Sequence, residues 1–204
     1  MRANHGAKVT PARPAIVVAV TAMAAACAVL IIIAGAPIAT DDLWWHLKAG
    51  EMYAEFGPWV DVDVMLHTAA PHAPVPHEWL FAVVVHLVEQ EFGFYGVRLL
   101  HASLVVLALA FFHGLVRQAN GGALAAAAAL TTFAIVAVPR LVQFRPDLFS
   151  IIAVLIVVRA LRMPLLSARV VTALAVLTMV WANMHSLVLI GLNLTLAMLL
   201  GRVL

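Results

Sequence analysis

The sequence predicts an all-α fold: a polytopic helical membrane protein with about six transmembrane helices and two surface (juxtamembrane) helices in its first outer loop. Three observations predict it. The 204 residues are 65% hydrophobic and 11% charged, with a mean hydropathy of +1.05, where a soluble domain carries roughly 25% charged residues. The apolar residues come in long runs, and in lipid such runs satisfy their own backbone only as helices. Nine of the ten carboxylates lie between Asp41 and Glu91, so polar chemistry is gathered in one stretch. The high hydropathy excludes a disordered chain. A net charge of +2 with no run of Lys or Arg points away from nucleic acid. Cys27 is the only cysteine, so the chain carries no disulfide framework.

The elements follow in order within a single membrane domain, residues 1–204. Residues 1–14, with Arg2, Lys8 and Arg13, form a basic N-terminus. Residues 15–36 are the first apolar segment. It exceeds the roughly 7–15 residues of a signal-peptide core, and Pro37 directly follows the cleavage-like Ala34-Gly35-Ala36. The expectation is a retained transmembrane helix. Residues 37–98 form the outer loop. Its first helix is expected over 42–56, with Asp42, His46 and Tyr53 on one face and Leu43, Leu47 and Ala54 on another, and Gly57-Pro58 ending it. A Pro- and His-rich stretch covers 60–77. Residues 78–92 are amphipathic at about 100° per residue. Glu78, Ala82, His86, Glu89 and Gln90 share one arc, and Leu80, Val83, Val84, Leu87 and Val88 the other. That pattern suits a helix lying on a membrane surface.

Residues 99–204 hold the remaining transmembrane helices, in apolar segments at 99–116, 121–138, 148–161, 170–181 and 187–200. A perpendicular span takes about 20 residues. The last three segments are short unless flanking arginines snorkel. Breaks are expected near 140–145, at Pro164 and near 183–185. Charge bias sets the orientation. With a cytoplasmic N-terminus and a non-crossing 78–92, Arg2, Lys8, Arg13, Arg117, Arg159, Arg162, Arg169 and Arg202 face the cytoplasm. Lys48, Arg98, Arg140, Arg145 and all ten acids then face outward. A crossing 78–92 erases that bias. The expected location is a bacterial inner (plasma) membrane.

Five groups of residues could carry chemistry. Asp41-Asp42 could act as a general base or hold a divalent cation, or could simply cap a helix and favour its dipole. Trp44-Trp45 could anchor the chain at the interface or offer a platform to a sugar ring or lipid head group. His67, His72 and His77, with Asp61, Asp63 and Glu78, are ligand types for a divalent metal, though their spacing matches no metal signature. Arg140 and Arg145, with Asp147, sit at a helix break; arginine suits bidentate contact with phosphate, or an Arg–Asp pair could close the turn. Asn183, His185 and Ser186 lie in an apolar region, where polar groups pair with one another or line a cavity.

Read in order, these pieces resemble the membrane glycosyltransferases of the GT-C superfamily, closest to the protein O-mannosyltransferase and aminoarabinose transferase group. The similarity covers residues 15–186. It rests on Asp41-Asp42, His77-Glu78-Trp79-Leu80, Phe92-Gly93, Arg98-Leu99-Leu100 and Arg140 with Arg145-Pro146-Asp147. Asp-Leu-Trp-Trp-His-Leu and Trp-Ala-Asn-x-His also look similar to bacterial membrane proteins of this type. The resemblance implies transfer of a sugar from a polyprenyl-phosphate carrier at the outer leaflet. It implies Asp41 or Asp42 as catalytic base or metal ligand with Glu78 as a second acid, and Arg140 and Arg145 on the carrier phosphate with Asp147 orienting one of them. Trp44, Trp45, His46, Asn183 and His185 join them as substrate-binding residues. A divalent metal would fall to Asp42, His77 and Glu78. The family usually has more crossings and a further C-terminal domain. The expectation is therefore an N-terminal portion of such an enzyme or a short relative that needs a partner chain. The alternative is a non-catalytic integral subunit of a larger membrane complex. Expected partners are the bilayer, the carrier lipid and other membrane chains.

Overall fold

The computed structural model describes residues 42–61, 65, 73, 75–119 and 122–203, with five isolated positions between 17 and 28. Asp41, Asp63, His67, His72 and most of the expected first transmembrane helix lie outside the described residues. Within them the chain is all-helical: α1 Asp42–Phe56, α2 Trp79–Gln118, α3 Ala123–Leu141, α4 Asp147–Leu161, α5 Ala168–Met184 and α6 Val188–Val203.

The helix α1 has the limits expected from the sequence. Asp42 opens it, where an acid favours the helix dipole. Gly57, with φ +77°, closes it by returning its N–H to the Tyr53 carbonyl. Its buried residues are drawn from both of the faces read from the sequence. Leu43, His46, Ala49, Gly50, Met52 and Tyr53 are buried, and Ala54 is exposed. The reason is α2. A Cβ on Gly50 would run into the Ala82 carbonyl and the His86 Cβ, so α1 lies almost backbone to backbone on the start of α2. Ala82, placed on the polar arc by the sequence pattern, is buried for the same reason, while Leu87 is exposed.

Helix α2 is 40 residues long and bends at Gly93, whose φ +61°, ψ −165° is not helical and is open mainly to glycine. Residues 78–92 therefore form an arm joined directly to the next helix, which begins just past Gly93 rather than at 99. At about 1.5 Å per residue, the arm before the bend spans roughly 21 Å. The limb after it spans roughly 37 Å. Only the second exceeds the ~30 Å hydrocarbon core.

Among the described residues two helices, α2 and α3, are long and apolar enough to cross a membrane. The expected six crossings meet a length limit here. Helices α4, α5 and α6 have 15, 17 and 16 residues, short of the ~20 a perpendicular span takes. The bundle's outer surface is nonetheless apolar, with Leu99, Val106, Ile135, Val136, Val171 and Met179 exposed.

One core joins Phe81, Val85 and Val97 of α2 to Leu130, Ala134 and Leu141 of α3, Leu148 and Ile152 of α4, and Leu43 of α1. A second joins Ala153, Val157 and Leu161 of α4 to Trp181 of α5 and Val188. Phe144, fully buried in the 142–146 turn, lies with its ring centroid 5.5 Å from those of both Phe81 and His101. His101 in turn donates from Nε2 to the Leu141 carbonyl at 2.8 Å. That plug fixes the turn between α3 and α4, which carries Arg145.

Candidate functional site

The starts of α1, α2 and α4 and the ends of α3 and α5 meet around one cavity of about 550 Å³. Its polar end holds Asp42, His46, Glu78, Arg140, Arg145, Asp147, Ser150 and His185. Its apolar wall includes Phe133, Ile151, Val154, Leu155, Leu187 and Ile190. Of the residues expected at a site, Asp42, His46, Glu78, Arg140, Arg145, Asp147 and His185 are brought together here.

Two ion pairs tie the polar end across the chain. Arg145 donates from Nη2 to Oδ2 of Asp42, joining the α3–α4 turn to α1. Arg140, in the last turn of α3, lies with Nη1 3.2 Å from Oδ2 of Asp147, the first residue of α4. The Arg–Asp pair closing a turn is therefore realised by Arg140 and Asp147, and Arg145 is used over a long range.

Glu78 precedes α2 with φ +64°, the only non-glycine positive φ among the described residues. That conformation is rare outside glycine and is held against strain by surrounding contacts. Its carbonyl accepts from the Ala82 N–H at 3.0 Å, and its carboxylate Oε1 lies 3.2 Å from Nε2 of His185. Burial pushes the Glu78 carboxyl above the usual carboxylate range; His77 opposes the lift, and Asp147 and Asp42 add to it.

His185 breaks the α5–α6 path with extended backbone and accepts its place from a hydrogen-bond chain. Trp181 donates from Nε1 to Ser150 Oγ at 2.8 Å, and Ser150 Oγ lies 2.7 Å from His185 Nδ1. An indole N–H only donates. The Glu78 carboxylate only accepts, so the neutral imidazole carries its hydrogen on Nε2, 3.2 Å from Oε1, and Nδ1 accepts from the Ser150 hydroxyl. Burial lowers the His185 pKa, with Asp147 pulling the other way. His46, edge-on to Phe81 at 5.0 Å, is pushed down to about 4, by burial foremost and against the pull of Asp42. It is an uncharged wall of the site at neutral pH.

Other expected residues stand apart. Trp44 and Trp45 are exposed and do not line the cavity; Trp44 meets Phe94 edge-on at 5.5 Å. Asn183 is a fastener: its Oδ1 accepts from Trp79 Nε1 at 2.8 Å, and its Nδ2 donates to the Met179 carbonyl. It ties the end of α5 to the start of α2. His77 is exposed, with Nδ1 3.1 Å from the Val75 carbonyl of its own turn. Among the described residues no group of three or more His, Cys, Asp or Glu is arranged to hold a metal. Asp42, His77 and Glu78 are not grouped in that way. Sequence reasoning misses Ser150, and it reaches Trp181 only as the first residue of the Trp-Ala-Asn-x-His motif. Ser150 carried a signal, being a lone hydroxyl within the apolar run 148–161.

No family model, curated protein or solved structure matches the chain.

Proposed function

We propose that the chain is a GT-C-like membrane glycosyltransferase, or the N-terminal portion of one, that moves a sugar from a polyprenyl-phosphate carrier to an acceptor at the outer leaflet. The observation that carries this reading is the cavity's two-sided chemistry. Two guanidiniums and three carboxylates face one end, and an apolar wall runs from Phe133 to Ile190. A lipid-linked phosphosugar has the same division: a charged, hydroxyl-rich head on a hydrocarbon tail. The alternative, a non-catalytic subunit, expects outer-loop acids that do not converge. Asp42 and Glu78 instead face one cavity with Asp147.

In this reading the acceptor hydroxyl attacks the anomeric carbon and gives its proton to a cavity carboxylate. The bond from that carbon to the phosphate oxygen breaks, and its electron pair leaves on polyprenyl phosphate. Arg140 and Arg145 stabilise the charge that gathers on the leaving phosphate, an electrostatic role worth most in a site partly shielded from water. Orientation follows the same reading, with the N-terminus cytoplasmic in a bacterial inner membrane and six crossings in all. The ends of α2 and α4 that carry Arg117 and Arg159 lie together, with Gln118 donating to the Arg159 carbonyl, at the end of α4 away from the cavity. That separation of basic end and acid-bearing cavity supports positive-inside insertion. The shorter helices cross if flanking arginines snorkel.

The test is transfer in membranes. Asp42→Asn, Glu78→Gln and Arg145→Gln should each abolish glycan transfer while the protein still inserts and folds. Unchanged transfer in all three would sink the reading.

A further inference from the structure

The end of the helix bundle away from the cavity carries charge of one sign. Arg117 stands in the last turn of α2. Arg159 stands in the last turn of α4, with Arg162 just past it. Arg169 is the second residue of α5, after the short turn 162–167. All four are exposed. Gln118 holds the ends of α2 and α4 together by donating to the Arg159 carbonyl. Among the described residues none of the four arginines makes an ion pair; the pairs present join other side chains. After Glu91 the only acid in the sequence is Asp147. It opens α4 at the end opposite Arg159, roughly 18 Å away along the helix at about 1.5 Å per residue. That exceeds the ~8 Å beyond which salt screens exposed charges.

Two ordinary causes account for part of this. Arginines gather on the cytoplasmic side of a membrane protein, and a cation at a helix C-terminus complements the dipole. Neither accounts for where the Arg159 side chain lies. A Cβ on Gly114 would run into its Nη1, so the guanidinium is laid across α2. Gly114 and Arg117 are three residues apart and share a helix face. Two cationic side chains are thus drawn to one face of α2 with no described acid beside them, and like charges so placed repel. Arg169, in the first turn of α5, is set against its own helix dipole. An anion at this end relieves both conflicts. Between Arg162 and Arg169, Met163 and Leu165 are exposed, Leu165 at 84%. Exposed apolar side chains flanked by cations match the border between phosphate and hydrocarbon at a lipid surface, rather than a phosphate free in water.

We infer that this end of the bundle holds an acidic phospholipid of the leaflet opposite the cavity, its phosphate at Arg117 and Arg159 and the 162–169 turn beside it. Gly114 is the residue that lets the Arg159 guanidinium reach that place. The site needs only that the chain sits in a bilayer, and it stands whether or not the cavity transfers sugar.

The experiment uses the whole chain in an uncharged detergent and measures bound lipid by native mass spectrometry. The probes are phosphatidylglycerol, phosphatidylcholine with the same acyl chains, and glycerol phosphate. The wild-type protein should bind phosphatidylglycerol at least about tenfold more tightly than phosphatidylcholine, since each arginine beside an anionic lipid contributes about fivefold. Glycerol phosphate should not displace the lipid. Arg117→Gln combined with Arg159→Gln should remove the preference. Gly114→Ala should fold at least as well as wild type, because alanine is the better helix former, yet lower the preference about fivefold by displacing the Arg159 guanidinium. Arg98→Gln, near the other end of the same helical limb, should leave it unchanged. The wild-type comparison needs no variant, so it stands even if the double arginine variant misfolds. Equal affinity for the two lipids, or no lipid bound at all, overturns the inference. So does displacement by glycerol phosphate, a full preference in the double variant or in Gly114→Ala, or an equal loss in Arg98→Gln.

Discussion

Nε2 of His185 lies 3.2 Å from Oε1 of Glu78, and the far side of the same ring is held 2.7 Å from Ser150 Oγ. The strained Glu78 backbone and the α5–α6 break thus converge on a single imidazole. The Glu78 carboxylate and the Ser150 hydroxyl together set the His185 tautomer, and Trp181 donates into Ser150. Glu78 is therefore aimed by residues that never touch the ligand side of its carboxylate.

Ser150→Ala should remove that direction. It leaves the Trp181 N–H and His185 Nδ1 facing each other's vacancy, and a buried donor without a partner costs about 1–3 kcal/mol. Thermal unfolding in nanodiscs should report a loss of that size. Nitrogen NMR of ring-labelled histidine should show His185 losing its fixed Nε2–H tautomer. A variant that keeps both stability and tautomer would show that the chain does not orient Glu78.

The Asp42–Arg145 pair should matter little for stability and much for binding. Its side chains are 45% and 37% exposed, and pairs of that kind contribute about 0–1 kcal/mol. A double-mutant cycle with Asp42→Asn and Arg145→Gln should give a coupling energy in that range. The same Arg145 variant should lower prenyl-phosphate affinity about tenfold or more. A coupling energy well above that range would make the pair chiefly a structural clasp.

Gly50→Leu should undock α1 from α2. Its Cβ would meet backbone, the Ala82 carbonyl, which cannot rotate away as a side chain can. Overpacking of this kind costs about 1–3 kcal/mol. Ala54→Leu, on the exposed side of α1, should fall within about 0.5 kcal/mol of wild type. Because Asp42 and His46 ride on α1, the Gly50 variant should also lose ligand binding. Equal stability of the two variants would contradict the close α1–α2 contact.

His46 predicts an acid limb in stability. Its folded pKa of about 4 lies below the ordinary 6.5, so the unfolded chain binds the extra proton between those values. The contribution is fully present above about pH 6.5 and is lost as pH falls towards about 4, on the order of 3 kcal/mol in total. The groups facing it are Asp42, which opposes the shift, and Arg145, His185 and His77, which add to it. His185 titrates with the same sign. Glu78, with its raised pKa, has the opposite sign and favours the folded state at low pH. Comparing wild type with His46→Gln isolates the His46 part. Parallel pH profiles for the two proteins would contradict it.

What the sequence made legible was local. Asp42 and Gly57-Pro58 marked the ends of α1 because capping and chain reversal depend on neighbouring residues. Arg140, Arg145 and Asp147 stood out as charges at a helix break in an apolar chain. What stayed hidden was partnership. Nothing in the turn after α3 says that Arg145 reaches back to Asp42 or that Arg140 takes Asp147. The arc containing Ala82 read as solvent-facing because periodicity cannot show that Gly50 will lie against it. His77 looks like a ligand by composition, and in the fold its Nδ1 lies 3.1 Å from the Val75 carbonyl of its own turn. Ser150 was visible only as an oddity, since its meaning comes from Trp181 and His185 on another helix.

The most direct measurement of the central claim is photolabelling of the folded chain with a farnesyl phosphate that carries a diazirine in its tail, read out by peptide mass spectrometry. The account predicts crosslinks on Phe133, Ile151, Val154 and Leu187, the apolar wall beside the charged end. They should be displaced by farnesyl-phosphate mannose and lost in Arg145→Gln. Crosslinks confined to the exposed outer faces of α3 and α5, undiminished by the competitor, would contradict it.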